Sequence, residues 1–336
     1  MINVFNRVVS PIPKQELNFV NGKEYIYWGE QNRYPNYIYE NYINSSLLQT
    51  IVDGMSQYIC GYGVDGKLED VDYNTLLNRC VKDRLLYGGF AIQLIYNPLG
   101  EIAELKHMPF ERCRVTIDEQ KVVFSKYFGT NKRYKGVSYY MYGGTPAKEV
   151  KTSEVLYYNQ DSVDVYPNSP IHGCLKSIVT SIEIQNFHYN AILNNFAPSA
   201  IINFNNGQPS ETEKQEIDTM LNECFAGTDN ASKFIVTYND SKESSVSIER
   251  LETDDFDKKY EALDKAVKEN IFVAFRAQPI LFGLDNEKTG FNKQEYLEAF
   301  ELFNCTVIRS YQHEVINAFK RIGDDIKIKP FRLNDE

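Results

Sequence analysis

The sequence predicts an α+β fold in which a β-rich region is followed by long helices that enclose a small α/β segment. Runs of strand-forming residues separated by turn residues fill residues 85–160. From Ser169 onward, apolar residues instead recur every three or four positions, which is the spacing of one helix face. The predicted order is a β-rich block, a long helix, a small α/β insertion, a long helix, a loop and a third long helix.

The composition indicates a folded chain with an acidic surface. Of the 336 residues, 43% are hydrophobic and 24% are charged, which excludes a largely disordered protein. Lys and Arg total 36 against 46 Asp and Glu, which gives a net charge of −10. This balance argues against tight binding of nucleic acid through its phosphates, but it is compatible with a surface that DNA passes without sticking.

The first 90 residues predict irregular structure and then two helices. Residues 1–44 show no sustained periodicity, and residues 25–35 suggest a short strand and a turn. A helix over residues 47–58 is predicted, with Ser45 or Ser46 as its cap and Gly61 at its end. Residues 72–87 predict a second helix.

The β-rich block contains six predicted strands joined mainly as hairpins. A turn at residues 97–100 separates the first two, so they are expected to pair with each other. The predicted strands are residues 90–96, 102–108, 113–117, 121–126, 137–142 and 155–159.

A long helix is predicted after this block. Ser169 and Pro170 suit the cap and the first position of a helix, and an apolar stripe continues to Phe196 before Pro198 ends it. The α/β insertion that follows has predicted strands at residues 200–204, 233–238 and 245–251, and a helix at residues 210–225.

Residues 254–322 predict two amphipathic helices joined by one irregular loop. The first helix, residues 255–275, has Thr253 as a candidate cap and an apolar stripe. Pro279 cannot continue that helix, and Gly283 permits backbone conformations that other residues resist. The second helix is predicted from Asn292 to Arg321. The stripe residues are Phe256, Tyr260, Leu263, Val267, Ile271 and Ala274 in the first helix, and Tyr296, Phe300, Phe303, Val307, Tyr311 and Val315 in the second.

No pattern of catalytic or metal-binding residues is found. The six cysteines are scattered without a CxxC pair, and the four histidines form no HExxH motif. Nucleotide-binding glycine loops and a GxSxG elbow are also missing. We therefore expect no enzyme activity, no metal and no cofactor. The sequence also contains no apolar run long enough to span a bilayer and no signal peptide, so no membrane partner is expected.

Several local motifs, in a characteristic order, resemble those of tailed-bacteriophage portal proteins of the HK97-like family. The resemblance extends over roughly residues 25–320. The segment Phe275-x-x-Gln-Pro-Ile-Leu-Phe-Gly283 is similar to the family's Phe-x-x-Pro-Pro-x-Leu-x-Gly signature, with Gln278 in place of the first proline. The other motifs are residues 27–35, 58–63, 86–93, 108–109, 168–171, 195–198 and 289–295.

The resemblance implies a portal-type architecture with seven regions. Residues 1–168 would form the N-terminal, β-rich part of the wing, and residues 323–336 would be a short C-terminal tail with a minimal or absent crown. The remaining regions would be a stem helix (169–198), a small α/β clip (199–252), a second stem helix (253–276), a tunnel loop (277–291) and a long wing return helix (292–322).

The implied function is that of a homo-oligomer, expected to be a dodecamer, at one vertex of the virion capsid. Double-stranded DNA would pass through its channel during packaging and ejection, without sequence-specific binding. The implied partners are the terminase large subunit, a head–tail adaptor, and the major capsid and scaffold proteins, with assembly in the host bacterial cytoplasm.

On this interpretation, polar and basic residues of the loop are the candidate DNA contacts. They can touch the phosphate backbone without reading sequence. Two alternatives stay open, an α+β enzyme of unknown reaction and another head–tail connector component. The candidate DNA-facing residues are Asn286, Lys288, Thr289 and Lys293.

Overall fold

The secondary structure of the chain was obtained from a computed structural model. It describes residues 17–18, 24–126, 128, 136–149, 152–161, 163–193, 201–204, 212, 235–238, 256–284 and 293–331. The chain divides into two units, the first formed by residues 1–179 and 268–336 and the second by residues 180–267. None of the described helices has both the length and the apolar character needed to cross a bilayer.

Seven α-helices and twelve strands lie in the described parts of the chain. The helices are α1 (Tyr34–Asn44), α2 (Ser46–Cys60), α3 (Tyr73–Tyr87), α4 (Leu175–Leu193), α5 (Phe256–Phe275), α6 (Lys293–Phe303) and α7 (Arg309–Lys320). The strands are β1 (Leu17–Asn18), β2 (Tyr27–Trp28), β3 (Gly63–Asp65), β4 (Gly89–Tyr96), β5 (Ile102–Met108), β6 (Cys113–Val115), β7 (Lys121–Phe124), β8 (Val137–Met141), β9 (Ser153–Asn159), β10 (Ile201–Phe204), β11 (Ile235–Tyr238) and β12 (Lys327–Lys329).

A six-stranded mixed sheet forms the β-rich block, in the order β5-β4-β9-β8-β7-β6. The predicted hairpin of β4 and β5 is confirmed, with Ala91 opposite Met108. The expectation of a block built mainly from hairpins fails at one point, because β8 and β9 are parallel. Helix α3 packs on β4 and β5. Strand β4, which lies between β5 and β9, therefore has the apolar residues Phe90, Ala91, Ile92 and Leu94 buried.

A buried carboxylate stabilises the short connection between the parallel strands β8 and β9. Glu154 is fully buried, and its Oε1 accepts hydrogen bonds from the hydroxyl (2.7 Å) and the backbone N–H (3.2 Å) of Thr145. Its Oε2 accepts from the hydroxyl of Tyr96 at 2.8 Å and from the N–H of Gly143 at 3.3 Å. Four donors satisfy this charge, and they hold the connection against the sheet.

The segment before α1 covers the β6 edge of the sheet. The N–H of Ile26 donates to the carbonyl of Val115 at 2.9 Å, and Trp28 stacks on Tyr166 with ring centroids 4.6 Å apart. The buried guanidinium of Arg114 donates to the carbonyl of Asn32 at 3.2 Å. Burial lowers the pKa of Arg114 from its ordinary value. A turn whose residues take positive φ is thus fixed by a side chain from β6.

Helix α1 corrects the prediction that residues 1–44 are mostly irregular. Pro35 lies in its first turn, where the missing N–H of proline costs nothing. Tyr34 and Ile38 are buried on one side. The residues that follow Pro35 are mainly Asn, Tyr and Ile, which have low helix propensity, so packing rather than propensity forms this helix.

The start of α4 also differs from the prediction. Ser169 is not its cap, because the α-helix begins six residues later; the Ser169 hydroxyl instead donates to the carbonyl of Leu86 at 2.6 Å. A 3₁₀ turn at His172–Cys174 comes first, and the α-helix begins at Leu175.

The third long helix contains a π-helical segment, Asn304–Ile308, between α6 and α7. Its predicted extent, from Asn292 to Arg321, agrees with the observed helical run within a residue at each end. The extra residue of a π turn rotates the helix face. Phe300 and Phe303 before the segment, and Val307 and Val315 within and after it, are all buried.

The apolar stripe of α5 is only partly buried in the described chain. Val267 and Ile271 are buried as predicted, and Phe272 and Phe275 join them. Leu263 keeps 44% of its surface exposed.

Part of the C-terminal segment after α7 is structured. Strand β12 pairs antiparallel with β3, and Ile326 is buried. Buried Asp324 accepts a hydrogen bond from the N–H of Lys67 at 3.0 Å and another from the hydroxyl of Tyr73. Residues 324–329 therefore hold the connection between α2 and α3 in place through the β3–β12 pairing and the Asp324 hydrogen bonds.

In the second unit, β10 and β11 pair in parallel, with Ile201 opposite Ile235. Parallel neighbours need a long crossover, and the helix predicted at residues 210–225 lies between them in sequence. That helix, apart from Thr212, and the strand predicted at residues 245–251 fall outside the described residues.

Helix α3 contributes to two ion pairs, one with a buried arginine and one partly exposed. Comparing them tests whether burial determines how much an ion pair stabilises the packing of the helices. Arg84 is 2% exposed, and its Nε and Nη2 lie 2.9 and 2.7 Å from Oε2 of Glu314 on α7. Its guanidinium also lies over the Tyr311 ring, 5.0 Å from the centroid. Lys82 pairs with Asp53 at 2.8 Å, and both side chains are partly exposed.

We expect Arg84→Met to lower the free energy of unfolding by about 3 kcal/mol, because Glu314 loses its buried partner. Lys82→Met should cost less than about 1 kcal/mol, because water replaces the lost contact. Urea denaturation of the two variants beside the wild type measures both values. Equal losses for the two would show that burial of the Arg84–Glu314 pair does not determine its contribution.

Candidate functional site: the anchor of the 277–291 loop

Helix α5 ends at Phe275, four residues before Pro279, and the residue after it, Arg276, is a non-glycine residue in the left-handed conformation. Arg276 has φ 52°, its N–H donates to the carbonyl of Val273 at 3.0 Å, and the N–H of Ala277 donates to Phe272 at 3.0 Å. These two bonds form a Schellman motif, which usually has glycine at the position of Arg276. The motif turns the chain sharply into the loop.

Pro279 then starts a 3₁₀ turn, Pro279–Phe282. Gln278 is extended, as its position before a proline predicts, and Gly283 has φ 81°. Both expectations from the sequence are confirmed. Leu281 is buried, so the first part of the loop is part of the folded core rather than a free strand of chain.

The Phe282 ring is the side chain by which the loop contacts three helices. It meets the rings of Tyr58 on α2, Phe272 on α5 and Phe303 on α6 at centroid distances of 6.0, 5.9 and 6.1 Å. The interplanar angles of 61–83° are those of edge-to-face pairs, which are favourable beyond the area they bury. We call Tyr58, Phe272, Phe282, Phe300 and Phe303 the aromatic cluster.

Tyr58 links this cluster to the loop backbone and to the end of the chain. Its hydroxyl donates to the carbonyl of Leu281 at 3.1 Å, and its ring lies 5.9 Å from that of Phe331. Burial raises the pKa of the Tyr58 phenol, and a hydrogen bond with Tyr296 raises it further. The phenol therefore stays protonated, and it keeps its ability to donate, throughout the physiological pH range.

Gly54 on α2 provides the space that the Phe282 ring occupies. A Cβ at this position would lie 2.7 Å from Cε1 and 3.0 Å from Cδ1 of Phe282. Any larger residue would therefore displace the ring. Sequence reasoning missed Gly54, because a glycine inside a helix carries no direct sign of its packing partner.

Of the four residues predicted to face DNA, Lys293 lies in the described part of the chain. It is exposed and is the first residue of α6. Asn286, Lys288 and Thr289 fall outside the described residues, as does the Thr253 cap. The structure thus describes the base of the loop, residues 277–284, and the helix α6 that follows the loop.

Another cluster of titratable groups lies between α3 and the 3₁₀ turn at Phe110–Arg112. Nε2 of His107 is 2.8 Å from Oδ2 of Asp83, which also accepts from the N–H of Phe110 at 3.0 Å. Burial raises the pKa of Asp83 and that of the nearby Glu111 carboxyl. The pair satisfies a buried backbone donor, which is a structural role. Among the described residues, no group of three or more His, Cys, Asp or Glu side chains is arranged to hold a metal ion.

Solved structures with a similar fold come from gene transfer agent particles and from a phage portal protein. A chain in the virion of a native gene transfer agent particle aligns with a TM-score of 0.56 and 15% identity, covering 88% of this chain and 82% of that one. A chain from the neck of the native gene transfer agent particle, computed with C12 symmetry, has a TM-score of 0.55 and 13% identity, covering 90% and 85%. An HK97-family phage portal protein from Corynebacterium diphtheriae has a TM-score of 0.52 and 11% identity, covering 87% and 95%.

Comparison of the sequence with models of known protein families assigns the chain to a family. A comparison with curated proteins finds no match. The model described as phage portal protein matches residues 70–308, which is more than half of the chain. That range runs from α3 to the π-helical segment, so it includes most of the aromatic cluster and the whole 277–291 loop. The chain therefore belongs to the phage portal protein family.

Proposed function

We propose that copies of this chain assemble into a ring, expected to hold twelve subunits, at one vertex of a capsid. Double-stranded DNA would enter and leave through the centre of the ring. The family match carries this proposal, and the likeness of fold over 87–90% of the chain supports it. The family consists of structural components of virions, which favours this function over an enzyme of unknown reaction.

The regions of the chain take the roles predicted from the sequence. Residues 1–168 and the helix at 292–322 belong to the wing, 169–198 and 253–276 are stem helices, and 199–252 are the clip. The separate second unit, residues 180–267, supports a distinct clip, because it contains that segment between parts of two long helices. The clip would bind the terminase large subunit during packaging and a head–tail adaptor afterwards, and the wing would contact capsid and scaffold proteins.

The 277–291 loop would face the channel, with its base fixed and its tip near the DNA. The cluster contacts and the Tyr58 hydrogen bond support a fixed base. An acidic subunit repeated around the axis repels phosphate, which keeps DNA from binding tightly. Asn286, Lys288, Thr289 and Lys293 would then make weak contacts to the phosphate backbone without reading sequence.

A double substitution tests the role of the loop tip. We expect Asn286→Ala with Lys288→Ala to leave ring assembly unchanged and to lower the amount of DNA packaged or retained, because two candidate backbone contacts are lost. The yield of DNA-filled particles in a packaging assay measures this effect. Packaging at full efficiency by the double variant would remove the support for these residues as DNA contacts.

Gly54→Ala tests whether the fixed base matters, without changing the loop itself. The added methyl group displaces the Phe282 ring, so we expect a loss of about 1–3 kcal/mol in stability and a decrease in packaging. Gly173→Ala is the matched control, because nothing lies within 4 Å of a Cβ built there. If Gly54→Ala behaves like Gly173→Ala in thermal unfolding and in packaging, close packing of the Phe282 ring on Gly54 is not needed for function.

A further inference from the structure

Arg276 ends helix α5 in the left-handed conformation that a glycine adopts at the end of α3. Helix α3 ends with Gly88 in the left-handed conformation (φ 89°), and the 3₁₀ turn of the loop ends with Gly283 at φ 81°. At the end of α5 the same conformation is adopted by Arg276, with φ 52°. A side chain with a Cβ is strained there, and such strain is often found where the side chain itself has a function.

Among the residues that the structure describes, the guanidinium of Arg276 has no ion-pair partner that explains this strain. Arg276 is exposed, and within the described part of the chain it forms no salt bridge. This exposed cation is therefore unpaired within the described part of the chain, and a carboxylate of another copy can reach it.

Arg276 borders a groove of about 500 Å³ between the end of α5 and the α6–π segment. We call it the α5–α6 groove. Its walls are mainly apolar, and two of them are unusually open to solvent: Val273 is 73% exposed and Leu302 is 56% exposed. Glu269 and Thr306 supply polar groups at its sides. Apolar walls with a cation at the rim fit a protein segment better than a phosphate backbone, which offers little apolar surface.

We propose that the α5–α6 groove receives a segment of the neighbouring copy of this chain, and that a carboxylate of that copy pairs with Arg276. The inference rests on the proposed ring. Closed rings join two different surfaces of adjacent copies, so each copy must present two complementary surfaces, and the α5–α6 groove suits one of them. The chain carries 46 acidic residues against 36 basic ones, so a carboxylate partner is the more available one. The paired charges would orient the neighbour, and the apolar walls would bury its side chains.

Substitution by glycine separates this role from folding. Arg276→Gly removes the charge and also relieves the strained backbone, so the unassembled protein should unfold at an equal or higher urea concentration than the wild type. Its assembly should nevertheless need about tenfold more protein, because a paired interfacial charge is lost. Arg276→Lys keeps the cation and should need no more than about threefold more protein. Mass photometry over a concentration series measures assembly.

A second pair of variants tests the apolar walls. Leu302→Glu places a charge in the α5–α6 groove and should weaken assembly by at least about tenfold. Leu99→Glu is the control, since Leu99 is 84% exposed in the turn between β4 and β5 and does not line the groove. Both residues are exposed, so neither change should alter the stability of the unassembled chain.

The outcomes distinguish this inference from the proposed function. Wild-type rings together with unchanged assembly of Arg276→Gly and Leu302→Glu would overturn the inference alone. If Arg276→Gly assembles normally but its rings lose DNA binding in a gel-shift assay with a duplex, the partner is phosphate and the inference is wrong. Absence of rings in the wild type, even with its capsid partners, would contradict the proposed function and the inference with it.

Discussion

The packing of the Phe282 ring over Gly54 determines where the 277–291 loop leaves the folded chain. One aromatic side chain connects α2, α5 and α6, and a missing Cβ on α2 gives it room. Because close-packed interiors transmit small displacements, the position of this ring sets the position of the loop base. Apolar packing alone does not fix the orientation of the loop backbone. The hydrogen bond from the Tyr58 hydroxyl to the Leu281 carbonyl does, because hydrogen bonds are directional.

The surrounding structure keeps α2 and the α6–α7 run in place. Arg84 on α3 holds α7 through Glu314, and the C-terminal residues fasten the α2–α3 connection through β12 and Asp324. The ring of Phe331, two residues beyond β12, then packs on Tyr58. Residues far apart in sequence thus contact Tyr58 and the other side chains that hold the base of the loop. For a protein proposed to guide a moving polymer, a rigid base lets a few side chains at the tip act at a defined position.

Much of the fold could be predicted from local pattern, because strands and amphipathic helices impose a period on the sequence. The β4–β5 hairpin, α2 with its Ser45 cap, and the end of α5 before Pro279 are confirmed. Helix α1 was missed because its residues favour other conformations, and tertiary packing overrides them. The π turn was missed since neither proline nor glycine marks it, and a shift of one residue hardly changes an apolar period of three or four.

The candidate site was predictable in location but not in construction. Pro279 and Gly283 mark the loop in the sequence, whereas the partners of Phe282 come from residues more than 200 positions away in the case of Tyr58 and Gly54. The significance of Arg276 depends on a backbone angle that no single-sequence pattern reports. The parallel pairing of β8 and β9 similarly depends on a buried carboxylate, Glu154, which pattern alone would have assigned to a surface.

Assembly is the most direct test of the account. The full chain would be purified alone and also after co-expression with its capsid and scaffold proteins, then examined by negative-stain electron microscopy and mass photometry. The account predicts closed rings with a central hole and a mass near twelve subunits. Monomers or dimers in both preparations, with no rings even beside the capsid proteins, would contradict it.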